Sequence, residues 1–286
     1  LKLVRFPLFG TALADSATGY LLTVRTGAEV EAGTLLLLGA ASAFLYCGGM
    51  AMNDWADRER DRLLHPGRPL PSGALRPGTA AALGIVLLLA GAGCAAAIGA
   101  NPAGTAAATA VMILAYDLLL KRVRLIGPPA MGLVRAGNLL MGMSAGRPVA
   151  ELSKWELAWA GLLFLYVTLA TLLSTFEEGR APRLLLAAIL AAAAAIFVAP
   201  ALLAASLVPE RVAFAAIPVA VLGWRAVVLA RRPTSAEISA TVGVLILGII
   251  PLDASFLLAH GLPLASLAIL WLLPFSLLGL WSFKRV

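Results

Sequence analysis

Ten apolar runs of 17–24 residues set the limits on what this chain can become: 6–24, 34–52, 77–100, 103–120, 129–145, 155–174, 184–207, 212–230, 238–259 and 264–283. An α-helix rises about 1.5 Å per residue, so about 20 residues cross a hydrocarbon core about 30 Å thick. Each run is long enough, or nearly so, for one crossing. Pro and Gly fall mostly at the ends of the runs, where helices start and stop. The 286 residues are 61% hydrophobic and 13% charged, whereas soluble domains are about 45–50% apolar and about 25% charged. A water-soluble globule, a disordered chain and a coiled coil are all excluded. The expected fold is all-α, a polytopic bundle of nine to ten transmembrane helices forming a single domain over residues 1–286. Abundant Ala and Gly let such helices approach closely, and no internal repeat divides the chain.

The net charge of +7 has a topological explanation and does not point to nucleic acid. With ten crossings and the N-terminus in the cytoplasm, 17 of the 22 Lys and Arg residues fall at inner positions, from Lys2 and Arg5 to Lys284 and Arg285. Arg25, Arg147, Lys154 and Arg211 fall outside, and Arg135 lies within a helix. The positive-inside rule selects that orientation. The expectation is a multi-pass cell-membrane protein with its N-terminus and polar loops in the cytoplasm. The first residues have the outline of a secretory leader, but the apolar run continues through Val24, so it is expected to remain as the first helix. Cys47 and Cys94 lie in apolar stretches with no Cys or His at ligand spacing, which leaves disulfide and zinc readings without support.

The chemistry concentrates at the end of the second run, in Gly48-Gly49-Met50-Ala51-Met52-Asn53-Asp54-Trp55-Ala56-Asp57-Arg58-Glu59-Arg60-Asp61. At about 100° per residue, Asn53, Asp57, Asp61 and Asp54 share an arc of about 100°, and Glu59 falls off that face. Like charges at i,i+4 destabilise a helix, so something must offset them. Hard oxygen ligands at this spacing suit Mg²⁺, commonly held by one or two carboxylates together with substrate phosphates. The alternative is a solvated segment whose Arg58, Arg60 and Arg62 neutralise the acids. Next comes His65-Pro66-Gly67-Arg68-Pro69-Leu70-Pro71-Ser72-Gly73, where a forked guanidinium on a stiffened loop is suited to phosphate.

Together, Asn-Asp-x-x-Asp-x-x-x-Asp at Asn53, Asp54, Asp57 and Asp61 and the Arg68-Pro69-Leu70-Pro71-Ser72-Gly73 loop resemble the UbiA superfamily of intramembrane prenyltransferases. The resemblance implies a bundle around a central cavity open sideways to lipid, with Mg²⁺ as cofactor. It implies a polyprenyl diphosphate as donor and a small, often aromatic acceptor, as in 4-hydroxybenzoate polyprenyltransferases. By the same resemblance Asn53, Asp54, Asp57 and Asp61 hold metal, and Asp54, Asp57 and Lys121 are catalytic. Arg68, Tyr116 and Lys121 contact diphosphate, joined by Arg122 and Arg135 as candidates. Tyr116 and Lys121 belong to Tyr116-Asp117-Leu118-Leu119-Leu120-Lys121-Arg122, whose spacing is one residue longer than the family's. An ion pair of Asp117 with Lys121 at i,i+4 is the plainer reading of that stretch.

The second Asp-rich motif of the family corresponds to Ser174-Thr175-Phe176-Glu177-Glu178-Gly179-Arg180, which has no Asp. Glu177 and Glu178 are either replacement metal ligands or a polar loop, and they sit about 100° apart on a helix. This weak motif, with Gly127-Pro128-Pro129-Ala130-Met131-Gly132-Leu133-Val134-Arg135-Ala136-Gly137-Asn138, is similar to the EboC-like branch. That likeness implies an alternative role in noncatalytic lipid-diphosphate binding or in transport of lipid-linked precursors.

Intramembrane charges are costly and face cavities or partners. Asp15 either pairs with Arg135 or lines an acceptor pocket with Asn138, and Asp253 reads as structural on a helix kinked near Pro251. A transporter would show broken helices and repeated halves near the midplane, whereas these acids sit at one membrane face. The expected reaction is departure of diphosphate, its charge offset by Mg²⁺, Lys121 and Arg68, followed by attack of the acceptor on the allylic carbon in a water-poor cavity.

Overall fold

The computed structural model describes residues 9–24, 29–177, 182–203 and 208–284. Twelve α-helices follow one another: α1 Phe9–Thr23, α2 Ala32–Leu64, α3 Pro77–Ile98, α4 Ala100–Leu118, α5 Gly127–Gly146, α6 Lys154–Ser174, α7 Arg183–Leu203, α8 Pro209–Arg231, α9 Ser235–Leu247, α10 Ile249–Ala259, α11 Pro263–Leu270 and α12 Leu272–Lys284. Among the described residues there is no strand. Among the described residues, six units are long and apolar enough to cross a bilayer: α2, α3, α6, α7, α8 and the stretch Ser235–Ala259. Large apolar side chains point outward from them, with Leu36 75%, Leu89 67% and Trp224 65% exposed, a surface that lipid satisfies and water does not.

Local chemistry explains the ends. Pro77, Pro209 and Pro263 sit in the first turns of α3, α8 and α11, where a missing N–H costs nothing. Ser153 and Glu156 form a reciprocal capping box on α6. The ninth and tenth apolar runs each split in two, which their continuous hydropathy does not announce. Pro251 has no N–H for the carbonyl of Leu247, and Pro274 has none for that of Leu270, so α9 and α11 end at those residues. The expected kink before Asp253 is therefore a break at Gly248.

Among the described residues, two large apolar clusters make most of the core, and a small third one gathers Ala51, Leu70 and Ala80. Of the large ones, one joins α6 to α10, through side chains such as Leu163, Tyr166, Phe197 and Phe256. The other joins α2, α3 and α4 through Leu38, Leu45, Leu88 and Ile113. Helices α1 and α5 contribute to both, with Leu22 and Leu139 in the first and Tyr20 and Met141 in the second. Their mutual contact is the seam of the bundle. A Cβ on Gly142 would run into the Ser16 carbonyl, and one on Gly19 into the Leu139 carbonyl. Thr23 Oγ1 donates to the Met143 carbonyl at 3.0 Å across the seam.

Gly142→Val is expected to destabilise the bundle by about 1–3 kcal/mol or more, because backbone must move to admit the side chain. Gly93→Ala, at a position with open space around the added carbon, is expected to be neutral. Thermal unfolding of both variants in detergent checks the contrast.

Candidate active site

Helix α2 has 33 residues, about 50 Å at the usual rise, and so outruns a hydrocarbon core about 30 Å thick. Its last turns reach the membrane edge. There, Asn53, Asp57 and Asp61 line a cavity of about 930 Å³ between the two core clusters. Deeper along the same face come Gly49, Tyr46, Leu45 and Ser42, a stripe at helical spacing that extends the acidic arc inward. Asp54 lies at the far edge of that arc. It is buried at 5% exposure, and Asn53, Asp57 and Asp61 are the members of the arc that line the cavity.

The acids are balanced from outside α2. The Lys121 ammonium, on the short 3₁₀ turn Leu120–Arg122 after α4, donates to Asn53 Oδ1 at 2.9 Å and lies 2.8 Å from Asp57 Oδ2 and 3.8 Å from Asp117 Oδ1. Arg68 Nη1 lies 2.6 Å from Asp61 Oδ2. The loop that delivers Arg68 is fixed by its own turns: Ser72 N donates to the Arg68 carbonyl at 3.0 Å, and Gly73 closes the bend at φ +77, a conformation that favours glycine. Leu70, 7% exposed, anchors the loop against Ala51 and Ala80. The arginines nearest in sequence are engaged elsewhere. Arg58 and Arg62 pair with Glu59 at 3.5 and 2.7 Å, and Arg58 also stacks on Trp55.

Tyr116, Arg122, Arg135 and Asn138 line the same cavity. Both readings of the Tyr116–Arg122 stretch therefore hold in geometry: Lys121 pairs with Asp117 and also faces the site. Glu177 lines the cavity and accepts a hydrogen bond from Ser239 Oγ at 2.9 Å. Glu178 lies outside the described residues. Farther in, Asp15 is fully buried and pairs with Arg135 Nη2 at 2.8 Å. Asn138 Nδ2 donates to Asp15 Oδ2 at 3.3 Å and to the Ala12 carbonyl at 2.8 Å, and Ser42 Oγ reaches Asn138 Oδ1 at 2.9 Å. Of the two expectations for Asp15, the ion pair holds, and the residues that present the cluster to the cavity are Arg135, Asn138 and Ser42. Asp253 is fully buried on α10.

Among the described residues, no group of three or more His, Cys, Asp or Glu side chains converges as a ready-made metal cage. The donor type nonetheless fits Mg²⁺. Asn53, Asp57 and Asp61 offer hard oxygens along one cavity wall, and Mg²⁺ needs only one or two carboxylates when phosphate and water complete its shell. Lys121 now shares two of those oxygen-bearing groups.

A charged mouth opening on an apolar-walled cavity inside a helical membrane bundle is the build of a receptor for amphiphiles with a phosphorylated head. The chain belongs to the UbiA prenyltransferase family, whose model matches residues 12–247. A digeranylgeranylglyceryl phosphate synthase from Ignicoccus hospitalis is 35% identical over 146 residues, covering 51% of this chain and 46% of that protein. One from Methanoculleus marisnigri is 29% identical over 161 residues, covering 55% and 57%. The chain thus spans about half the length of the curated relatives it matches. Its fold is that of a UbiA homologue from Archaeoglobus fulgidus bound to DMAPP and Mg²⁺ (TM-score 0.64, 17% identity, 90% and 98% covered) and of the apo UbiA homologue from Aeropyrum pernix K1 (0.66, 20%, 89% and 98%).

Removing the cation from the inner cluster tests its role. Arg135→Leu strands Asp15 in the bundle interior and is expected to cost about 3–5 kcal/mol. Asp15→Asn combined with Arg135→Met is expected to recover part of that loss. Thermal midpoints of the three proteins in detergent measure the difference.

Proposed function

We propose that the protein is a Mg²⁺-dependent membrane prenyltransferase that moves an isoprenoid chain from a polyprenyl diphosphate to the hydroxyl of a glyceryl phosphate acceptor. The observation that carries this reading is the juxtaposition of Asn53, Asp57 and Asp61 with Lys121 and Arg68 at the mouth of a largely apolar cavity. Its volume of about 930 Å³ lies at the upper end of the about 300–1,000 Å³ usual for ligand sites, room for a diphosphate head and a chain. The matched relatives are named for a glyceryl phosphate product, which favours that acceptor over the aromatic ring expected from the motifs alone. The excess of Lys and Arg at this end of the bundle favours a cytoplasmic mouth in the cell membrane.

The bond broken is the allylic C1–O bond, whose electron pair leaves with the diphosphate. The acceptor hydroxyl oxygen bonds to C1 and gives up its proton, which passes to an oxygen of the released diphosphate. Asn53, Asp57 and Asp61 are the residues that would hold Mg²⁺, which when bound supplies charge neutralisation for the leaving group. Lys121 and Arg68 place fixed positive charge where negative charge accumulates, the arrangement that makes preorganised electrostatics effective. Tyr116 lines the same cavity. The apolar wall of Ile113, Val167, Val242 and Ile246 excludes water from the allylic cation and leaves the acceptor as the available nucleophile.

The test is purified protein in lipid vesicles with Mg²⁺, labelled geranyl to geranylgeranyl diphosphates, and glyceryl phosphate and 4-hydroxybenzoate acceptors. Prenylated glyceryl phosphate and released diphosphate are expected, both lost on chelation of the metal. Lys121→Ala and Asp57→Ala are expected to lower kcat by about 100-fold or more. Tight Mg²⁺-dependent donor binding with no turnover on either acceptor would instead establish a noncatalytic lipid-diphosphate binder.

A further inference from the structure

The segment between α4 and α5 carries Lys121, Arg122 and Arg124 into the cavity lining, and its cations turn to different walls. Lys121 turns to α2, where Asn53 and Asp57 hold it. Three residues on, the Arg124 guanidinium lies over the Phe176 ring at the end of α6, 5.2 Å from the ring centroid. Phe176 is itself buried at 5% exposure, so it is a fixed platform.

Every other basic residue of the mouth with a described carboxylate contact is accounted for: Lys121 by Asp57 and Asp117, Arg68 by Asp61, Arg58 by Glu59. Arg124 has no carboxylate within ion-pair distance among the described residues. Glu177, one residue past the platform and lining the same cavity, is hydrogen-bonded by Ser239 instead. A guanidinium held against a ring by cation–π attraction keeps N–H groups available, and the exposed Arg124 can offer them as a fork that matches two oxygens of one phosphate. The stacking also removes much of the rotamer freedom that binding would otherwise cost.

We infer that Arg124, seated on Phe176, is an acceptor subsite that takes a phosphomonoester and is separate from the diphosphate wall of α2. The inference rests on the prenyl-transfer reading above and adds to it the feature that selects the acceptor. A ligand anchored by its phosphate at the α6 wall presents a hydroxyl a few bonds away to a donor whose head lies at the α2 wall. Attack at C1 then needs no charged contact between the two substrates' phosphates, since each meets its own cation.

The experiment compares glyceryl phosphate acceptors with their dephosphorylated forms in phosphatidylcholine vesicles, where the acceptor is the phosphomonoester supplied. Wild-type protein is expected to favour the phosphorylated acceptor by roughly 10- to 100-fold in kcat/KM, the worth of a charge-assisted contact. Arg124→Gln is expected to erase that preference through the acceptor KM, with the donor KM and Mg²⁺ requirement unchanged, and Arg124→Lys to restore part of it. Transfer without phosphate preference in the wild type, or a preference that survives Arg124→Gln, overturns the subsite and leaves the transferase reading standing. A loss of affinity that appears only in vesicles containing phosphatidic acid assigns Arg124 to the lipid surface and also overturns it. No transfer to either acceptor removes both readings.

Discussion

Oxygens from α2 and α4 converge on one ammonium group. Lys121 meets Asn53, Asp57 and Asp117 within 3.8 Å, and this contact fixes both the shape of the site and its charge. Asp57 and Asp61 are like charges one turn apart, an arrangement that opposes the helix carrying them. The cations that relieve them come from the ends of other elements, Lys121 from the turn after α4 and Arg68 from the loop before α3. The acidic stripe is therefore stable only in the folded bundle, and the charges that steady it are the ones a diphosphate needs.

The inner cluster solves a different problem. Arg135 sits in a membrane helix, where an unpaired guanidinium is costly, and Asp15 across the α1–α5 seam balances it at 2.8 Å. Asn138 and Ser42 add hydrogen bonds between α1, α2 and α5, to the Ala12 carbonyl, to each other and to Asp15. This network holds together the helices shared by both core clusters. Close approach of α1 and α5, enforced by Gly19 and Gly142, is what brings the ion pair into register. The cavity floor thus has fixed polarity without opening its acid to the ligand.

Much of this was legible in the residues. Most of the apolar runs matched a helix to within a few residues, because transmembrane length and hydropathy are set by the bilayer and not by partners; α2 runs twelve residues past its apolar run, and the last two runs each divide. The Asn53, Asp57 and Asp61 face followed from helical periodicity, and the Asp15–Arg135 pair from the cost of intramembrane charge. What escaped was set by tertiary contact. Asp54 shares the arc on a helical wheel, yet it is buried at 5% exposure while Asn53, Asp57 and Asp61 line the cavity. Whether Lys121 faced solvent, Asp117 or the site was undecided until the turn at Leu120–Arg122 placed it. Phe176 and Arg124 are 52 residues apart in the sequence, and no local pattern connects them. The breaks at Gly248 and Trp271 did have a signal, in Pro251 and Pro274, but unbroken hydropathy on either side outweighed it.

The length of α2 connects these levels. A helix cut to the bilayer would have ended near Met52 and left its acids in a water-filled loop, where phosphate competes with solvent. Because α2 continues to Leu64, its charged turns stay rigid above the hydrocarbon, and the cavity they line descends from charged mouth to apolar wall along a single helix face. An amphiphilic donor has the same gradient, with a charged head and a hydrocarbon tail. On the proposed reading, a donor held head-up against Asn53, Asp57 and Asp61 places its first carbon toward the boundary between the two regions. Bond breaking there would separate charge where fixed cations accept the leaving head and an apolar wall surrounds the carbon left behind.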